Sequence, residues 1–272
     1  MRSRKNYLHG YSEREKLRLI RQAEVHKDLL LSNLILNPGE KLLEIGCGVG
    51  AALEKIAFKA PMALLSGIDI NSVQVKSAHQ YLAEQGVHGV DLVVGDGSAL
   101  PWPADHFDRV RLIWLIEHLD DPASVLHEAF RVLSPGGTIH ITETDYSSLR
   151  VSPYDPAIQA LLSAFQDHFN RHGNAHAGPS LGPLLEQAGF QQVTVDIVGI
   201  HHWCEAHKEK VKDFINYLLE FISPELSELE SAATSNKEAR LIRYGHHKFE
   251  QLSQKPDAAI SLSIYQAMAC KP

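Results

Sequence analysis

Leu42-Leu43-Glu44-Ile45-Gly46-Cys47-Gly48-Val49-Gly50 decides how this chain is read. Residues 41–45 form a short apolar run of strand character, and residues 51–60 have helical character, so the glycines fall at a strand-to-helix turn. Glycine at such a turn lets the backbone take a positive φ and come close to a ligand, and the helix that follows presents free N–H groups. Gly46-x-Gly48-x-x-Ala51 satisfies a dinucleotide fingerprint, with Asp69 nineteen residues past Gly50 as a ribose acceptor. Glu44 points elsewhere. It sets a carboxylate two residues before the first glycine, where a pyrophosphate would otherwise lie, and so suits a cationic ligand better than an anionic one.

Outward from this turn, short apolar runs alternate with helical stretches. Residues 62–70 read as a strand ending near Asp69, and residues 72–85 as a helix capped by Asn71 or Ser72. Residues 91–94 form a strand that leads into Gly95-Asp96-Gly97-Ser98. Residues 108–114 are a fourth strand, 122–133 a helix with proline in its first turn closed by Ser134-Pro135-Gly136-Gly137, and 138–144 a fifth strand. Upstream, Ser12-Glu13-Arg14-Glu15 has capping-box form. It opens an amphipathic helix that carries Leu17, Ile20, Leu29, Leu30 and Leu34 as far as Asn37-Pro38-Gly39. Downstream, helices are expected over 153–172, 182–188, 205–220 and 224–254, and strands over 192–200 and 260–268.

Strand–helix alternation implies an α/β fold: a Rossmann-like, doubly wound, mostly parallel sheet of seven strands, with an N-terminal helix and helical lid insertions. Ligands of such sheets bind beyond the carboxyl ends of the strands, where Glu44, Gly46, Asp69, Asp96 and Glu143 fall. The expected organisation is an N-terminal helical cap (1–37), a cofactor-binding core (38–145), and a region of lid helices that also completes the sheet (146–272).

The 272 residues carry a net charge of -7, with 44% hydrophobic and 22% charged residues, which excludes wholesale disorder and argues against a nucleic-acid-binding surface. No apolar run approaches the roughly 20 residues of a membrane span, and no apolar signal core follows Met1-Arg2-Ser3-Arg4-Lys5. Three widely spaced cysteines, Cys47, Cys204 and Cys270, make a disulfide framework unlikely to be built and suggest a reducing, cytoplasmic setting. A small-molecule substrate is expected, with no nucleic acid, no membrane insertion, and room for a homodimer.

Four elements in register resemble a known family. E-x-G-x-G-x-G, the acid ending the second strand, G-D-x-x-x-L-P-x-x-x-x-x-F-D from Gly95 to Asp108, and R-V-L-x-P-G-G from Arg131 to Gly137 are similar to the class I S-adenosylmethionine-dependent methyltransferases. The likeness spans about residues 38–145 and looks closest to the ubiquinone/menaquinone-biosynthesis-type branch of small-molecule enzymes. The resemblance implies S-adenosyl-L-methionine as cofactor. Gly46, Cys47, Gly48 and Gly50 would hold its methionine moiety, with Glu44 meeting the amino group. Asp69 would accept from the ribose with Ile70 against the adenine, and Asp96, Gly97 and Ser98 would receive the adenine edge. Ile113 and Trp114 would form the floor, and Tyr11 and Tyr7 would close over the cofactor.

Glu143, His172 and His118 are the expected acid–base residues, and Tyr146, Phe165, His168 and Trp203 the expected contacts to a partly apolar or aromatic acceptor. The chain lacks the N/D-P-P-aromatic run of nucleic-acid amino-methyltransferases and the Pro-Cys nucleophile of cytosine C5 enzymes. Thr142-Glu143-Thr144-Asp145-Tyr146 replaces the acids of the magnesium-dependent catechol type. The pair His168/His172 and the group His201-His202-Trp203-Cys204 with His207 read as solvated or substrate-contacting, so no metal is expected. Two alternatives stand beside methyl transfer: an NAD(P)-dependent oxidoreductase resting on the glycine fingerprint and Asp69, and a non-catalytic S-adenosylmethionine-binding subunit.

Overall fold

The computed structural model describes residues 10–272, so Tyr7 lies outside the described residues. The elements run α1 (Glu13–Val25), α2 (Lys27–Leu31), β1 (Lys41–Ile45), α3 (Ala51–Lys59), β2 (Leu64–Asp69), α4 (Ser72–Glu84), β3 (Asp91–Val94), β4 (Phe107–Ile113), α5 (Pro122–Val132), β5 (Leu133–Ser152), α6 (Pro156–His172), α7 (Leu181–Gln187), β6 (Gln191–Trp203), α8 (Cys204–Ser231), α9 (Asn236–Glu250) and β7 (Ala259–Cys270). Contacts divide them into two compact units. One comprises Gly10–Glu143, Ala177–Asp196 and Tyr265–Pro272; the other comprises Thr144–His176 and Ile197–Ile264.

The first unit carries a seven-stranded sheet of order β3-β2-β1-β4-β5-β7-β6. Every ladder from β3 to β5 is parallel. β1 is buried on both faces, which is why its sequence is nearly continuously apolar. Successive residues feed opposite cores: Leu42 packs with Leu53, Ile56 and Leu65, whereas Leu43 and Ile45 pack with Leu126 and Ala129. Between β1 and β4 the strand order reverses direction, and at such a switch point the carboxyl ends of the strands open a crevice.

The second unit is built on α6, α8 and α9, whose core includes Phe165, Phe169, Phe214, Phe221 and Phe249. Two of these helices begin at a side chain that accepts orphan backbone N–H groups: Asp155 caps α6 and Ser235 caps α9.

Three local expectations are corrected. The first helix does not run through to Leu34. It breaks at His26 into α1 and α2, and α1 buries Glu15, Arg18 and Gln22 while Leu17 stands 60% exposed. The polar triple recurs at i, i+3 and i+7, so it marks one face as surely as leucines would. The boundary at Pro224 is also displaced. Pro224 lies inside α8, and the chain turns later, before the Ser235 cap, because one missing ladder hydrogen bond is outweighed by the buried Phe221, Ile222 and Leu229 on either side. Finally, β5 runs from Leu133 through to Ser152 instead of ending at Thr144.

Gly245 fixes the closest approach of α9 to α6. A Cβ at this position would collide with the carbonyl oxygen of Ala157 and stand 2.6 Å from its carbonyl carbon. In a helix, alanine is favoured over glycine by up to ~1 kcal/mol. Backbone cannot move aside as a side-chain tip can, so overpacking at ~1–3 kcal/mol should win. Gly245→Ala is therefore expected to lower the urea midpoint of unfolding; an unchanged or higher midpoint would show that the two helices are not in intimate contact.

Candidate active site

A cleft open to solvent at its mouth lies at the carboxyl ends of β1 and β4. Its floor is the glycine loop from Gly46 to Val49 with Ile113 and Trp114, and Leu19, Gln22 and Ala23 of α1 face it. Gly46 takes φ 76°, and a Cβ there would press the Leu115 side chain at 2.8 Å, so the turn requires glycine on both counts. Trp114 also has a positive φ, 48°, at the point where β4 ends. Its indole lies 5.2 Å from the His26 ring, and the Trp114 backbone N–H donates to the Thr142 carbonyl.

Glu44 lines the cleft and is 3% exposed. The register of β1 and β4 pairs it with Arg111, which is equally buried and donates from Nη2 to the Leu30 carbonyl at 2.7 Å. Glu44 Oε2 has no hydrogen-bond partner, nor do Arg111 Nε and Nη1. Burial pushes the Glu44 carboxyl up to about 8, overcoming the opposing pull of Arg111, with Asp69 adding to the rise. The same burial brings Arg111 down to about 10. A buried acid with an unused oxygen facing a cleft is primed for a hydrogen-bonding cation.

Asp69 ties the second strand to the loop. Gly48 N–H donates to Oδ2 and Asn71 N–H to Oδ1, both at 2.9 Å. Burial raises its pKa, and these two bonds oppose the rise. Asn71 in turn caps α4 by accepting from Val73 and Gln74 N–H, and Tyr11 hydrogen-bonds the Asn71 side chain near Asp69. Asp96 is engaged differently: its Oδ1 accepts from Ser98 N–H at 3.0 Å and Ser98 Oγ–H at 2.8 Å. Gly97 packs so closely on Ile45 that a Cβ would stand 2.8 Å from it. Ile70 is 47% exposed at the end of β2. Glu44 and the Asp69-anchored loop thus share one hollow, whereas Asp96 stabilises its own turn two strands away.

Glu143 was expected to handle protons, and the structure gives it another task. It is fully buried, and its Oε1 accepts from Leu115 N–H at 2.9 Å and Ile116 N–H at 2.6 Å, holding the loop that follows β4. Burial raises Glu143 to about 8 and Glu117 well above its ordinary range, and repulsion from Glu143 adds to the rise of Glu117. His118 lies 3.4 Å from Glu117, and burial, helped by Arg18, lowers it to about 3. A group that weak is a poor proton acceptor at neutral pH, so the expectation for His118 is corrected as well.

Sequence reasoning missed this network. Arg18 donates twice to Glu15 at 2.6 Å and once to Gln22 at 3.3 Å, all on the buried face of α1. Its signal was the polar i, i+3, i+7 spacing.

The remaining expected residues belong to the second unit. Phe165 is 3% exposed and meets Tyr146 edge to face at 6.1 Å, and Tyr146 also packs on Phe169. Both are core residues and offer an acceptor almost no surface, which corrects their expected role. His168, 1% exposed, faces α8 beside His172. Trp203 alone of the four is open, 41% exposed, stacked on His201 at 5.6 Å and edge-on to His207 at 4.3 Å.

The raised Glu44 carboxyl has a measurable signature. The folded chain holds this proton more tightly than the unfolded chain does, so the stability it contributes is complete below about 4.5 and is lost as pH rises through about 8. In Glu44→Gln the fall of unfolding free energy between about pH 5 and pH 8 should be shallower, by up to one proton's slope. Urea titrations across that range check it; identical slopes in the two proteins would mean that Glu44 titrates normally.

Residues 43–141 match the family model described as a methyltransferase domain. Over 119 residues, 43% of this chain and 31% of the relative, the chain is 35% identical to sterol 24-C-methyltransferase ERG6B of Gibberella zeae. It is 24% identical to demethylmenaquinone methyltransferase of Listeria monocytogenes over 181 residues, 66% of this chain and 73% of that one. The chain spans about a third of the length of the sterol methyltransferases it matches. Among solved structures, phosphoethanolamine N-methyltransferase 2 of Haemonchus contortus, in complex with phosphomonomethylethanolamine and S-adenosylhomocysteine, superposes with a TM-score of 0.57 at 16% identity. That superposition covers 92% of this chain and 52% of that one, and speaks for the fold. Neither the oxidoreductase reading nor the non-catalytic one draws support from these likenesses, and the glycine loop with its buried acid agrees with them. Residues 43–141 thus carry a methyltransferase domain, and with their strand order and glycine loop they resemble the class I S-adenosylmethionine-dependent methyltransferases.

Proposed function

We propose that the protein transfers the methyl group of S-adenosylmethionine to a small organic acceptor. Glu44 carries this reading: a carboxyl at the floor of a glycine-lined cleft, buried, with Oε2 unpartnered. A diphosphate there would meet a second anion at low dielectric, while an ammonium would satisfy the unused oxygen. The glycine loop fits the rest of an amino acid, since Gly46 and Gly48 line the cleft with no side chain of their own over the backbone.

In this reading Glu44 binds the amino group, and Gly46, Cys47, Gly48 and Gly50 form the cradle. Asp69, already oriented by two N–H donors, accepts from the ribose hydroxyls with its remaining lone pairs. Tyr11, tied to Asn71, stands at the same edge. Ile70, Gly97 and Ser98 meet the adenine, with Asp96 ordering that turn, and Ile113 and Trp114 close the floor. The bound cofactor supplies an electrophilic methyl group on a sulfonium. Because displacement from a sulfonium develops no oxyanion, the chain's task is to hold donor and acceptor in line, an effect worth roughly 7–11 kcal/mol in good cases. Glu143 and Glu117 serve that task by fixing the loop after β4, and no proton need pass through them.

An apolar or aromatic acceptor is the class we favour, as the names of the sterol and demethylmenaquinone methyltransferases that the chain resembles suggest. Among the described residues no helix is long and apolar enough to cross a membrane. The cysteines are free, Cys47 and Cys204 buried, which supports a cytoplasmic setting.

Calorimetry with S-adenosylmethionine and S-adenosylhomocysteine tests the proposal. Both should bind, and Glu44→Ala or Asp69→Ala should each weaken binding roughly 10–100-fold, the worth of one charge-assisted hydrogen bond. Pairing with an ammonium requires Glu44 ionised, so binding near pH 7 should release up to one proton and show a buffer-dependent enthalpy that Glu44→Gln abolishes. Tight NADH binding with neither nucleoside bound would overturn the reading.

A further inference from the structure

The last turn of α6 and the C-terminal turns of α8 bring two imidazoles and two carboxylates together within the second unit. His168 and His172 share a helix face at i, i+4 spacing, their ring centroids 4.8 Å apart. Glu225 and Glu228 face them at i, i+3 spacing. Glu228 Oε2 is 3.8 Å from His168 Nδ1, and Glu225 Oε2 is 3.3 Å from His168 Nε2. One ligand atom each from His168, His172 and Glu228 lie within 4.8 Å of one another. His168 is 1% exposed, and its Nε2 makes no hydrogen bond of good geometry.

We propose that His168, His172 and Glu228 bind one zinc ion that clips α6 to α8, with Glu225 orienting His168 from behind. The donor set is nitrogen and oxygen without thiolate, which suits a borderline divalent ion of zinc's kind. Ligands about 2.0–2.1 Å from a tetrahedral zinc stand roughly 3.3–3.4 Å apart, so the three atoms need close by at most ~1.5 Å. His172 is half-buried and the Glu228 side chain is 70% exposed, so both can rotate to close that gap. The fourth position falls to water on the Glu228 side.

The surroundings are consistent with the assignment. With Nδ1 on the ion, His168 keeps its proton on Nε2 and donates it to Glu225, the carboxylate–histidine–metal arrangement that fixes tautomer and ring orientation. Arg171 Nη2 stands 3.3 Å from Nδ1; it is exposed and can turn outward as the ion arrives. Phe165, Phe169 and Phe221 of the neighbouring core limit water on the inner side. The site is independent of the cofactor cleft, and its test reads metal binding and unfolding, so it can fail without touching the proposed activity.

The experiment uses the full chain, free of any affinity tag and stripped with a chelator, titrated with zinc chloride by calorimetry and followed by thermal unfolding. One equivalent of zinc should bind and raise the unfolding midpoint. His172→Ala should weaken zinc binding more than tenfold and abolish the rise. Glu228→Gln, at an exposed position that leaves the core intact, should do the same, and Glu225→Gln should weaken binding about tenfold as expected for an outer partner. Failure of the stripped wild-type chain to bind zinc overturns the proposal. So does zinc binding that survives unchanged in both His172→Ala and Glu228→Gln, which would put the ion at other histidines.

Discussion

The carboxylate of Asp69 is the joint on which the cleft depends. It is the last residue of β2, and it accepts one N–H from the glycine loop after β1 and another from the turn that starts α4. Two turns that would each be free to move are thereby referred to one rigid strand end. Backbone N–H groups are not consumed by the sheet at these points, so the loop would otherwise need water to satisfy them. Its position next to Glu44 also has an electrostatic cost: Asp69 makes the already buried Glu44 harder to ionise, and Arg111, from the paired position on β4, offsets it in part. The hollow is therefore short of positive charge, which is the condition under which a cationic ligand gains most by entering.

On the other side of the hollow, α1 turns a polar face inward. A helix docked through Glu15, Arg18 and Gln22 is held by directional bonds, and such contacts specify one register where a leucine seam would tolerate sliding. The same guanidinium acts on Glu117 and His118, so helix position and the charge state of the loop after β4 are linked through one side chain. That loop carries Trp114 in its left-handed backbone conformation and is fastened by Glu143. Strain at one residue is tolerated because the residues around it are over-determined.

Much of the core was legible because its physics is local. The apolar run from Leu42 to Ile45, the glycines after it and the Asn71 and Asp155 caps each dictate their own structure. What escaped depends on partners remote in sequence. Glu143 looks like an acid–base residue until Leu115 and Ile116 are seen to occupy it. Phe165 looks like a substrate wall until Tyr146 and Phe169 close around it. Pro224 looks like a helix end until the apolar residues flanking it are found packed in one core. The two histidines of α6 could be paired by spacing alone, but nothing in the order of residues indicated that two glutamates of α8 would stand over them.

Cys47 sits in the middle of the glycine cradle with its sulfur so enclosed that a methyl group on Gly67 would come within 2.9 Å of it. Burial, then the neighbouring Glu44 and Asp69, hold this thiol well above its ordinary titration range. A thiolate is the nucleophilic form of cysteine and a thiol is nearly inert. A sulfonium donor is an alkylating reagent, and it would be lodged beside this sulfur for every turnover. The acids that welcome the cation thereby also disarm the one residue in the cradle that it could damage, and the protein is spared suicide by its own reagent.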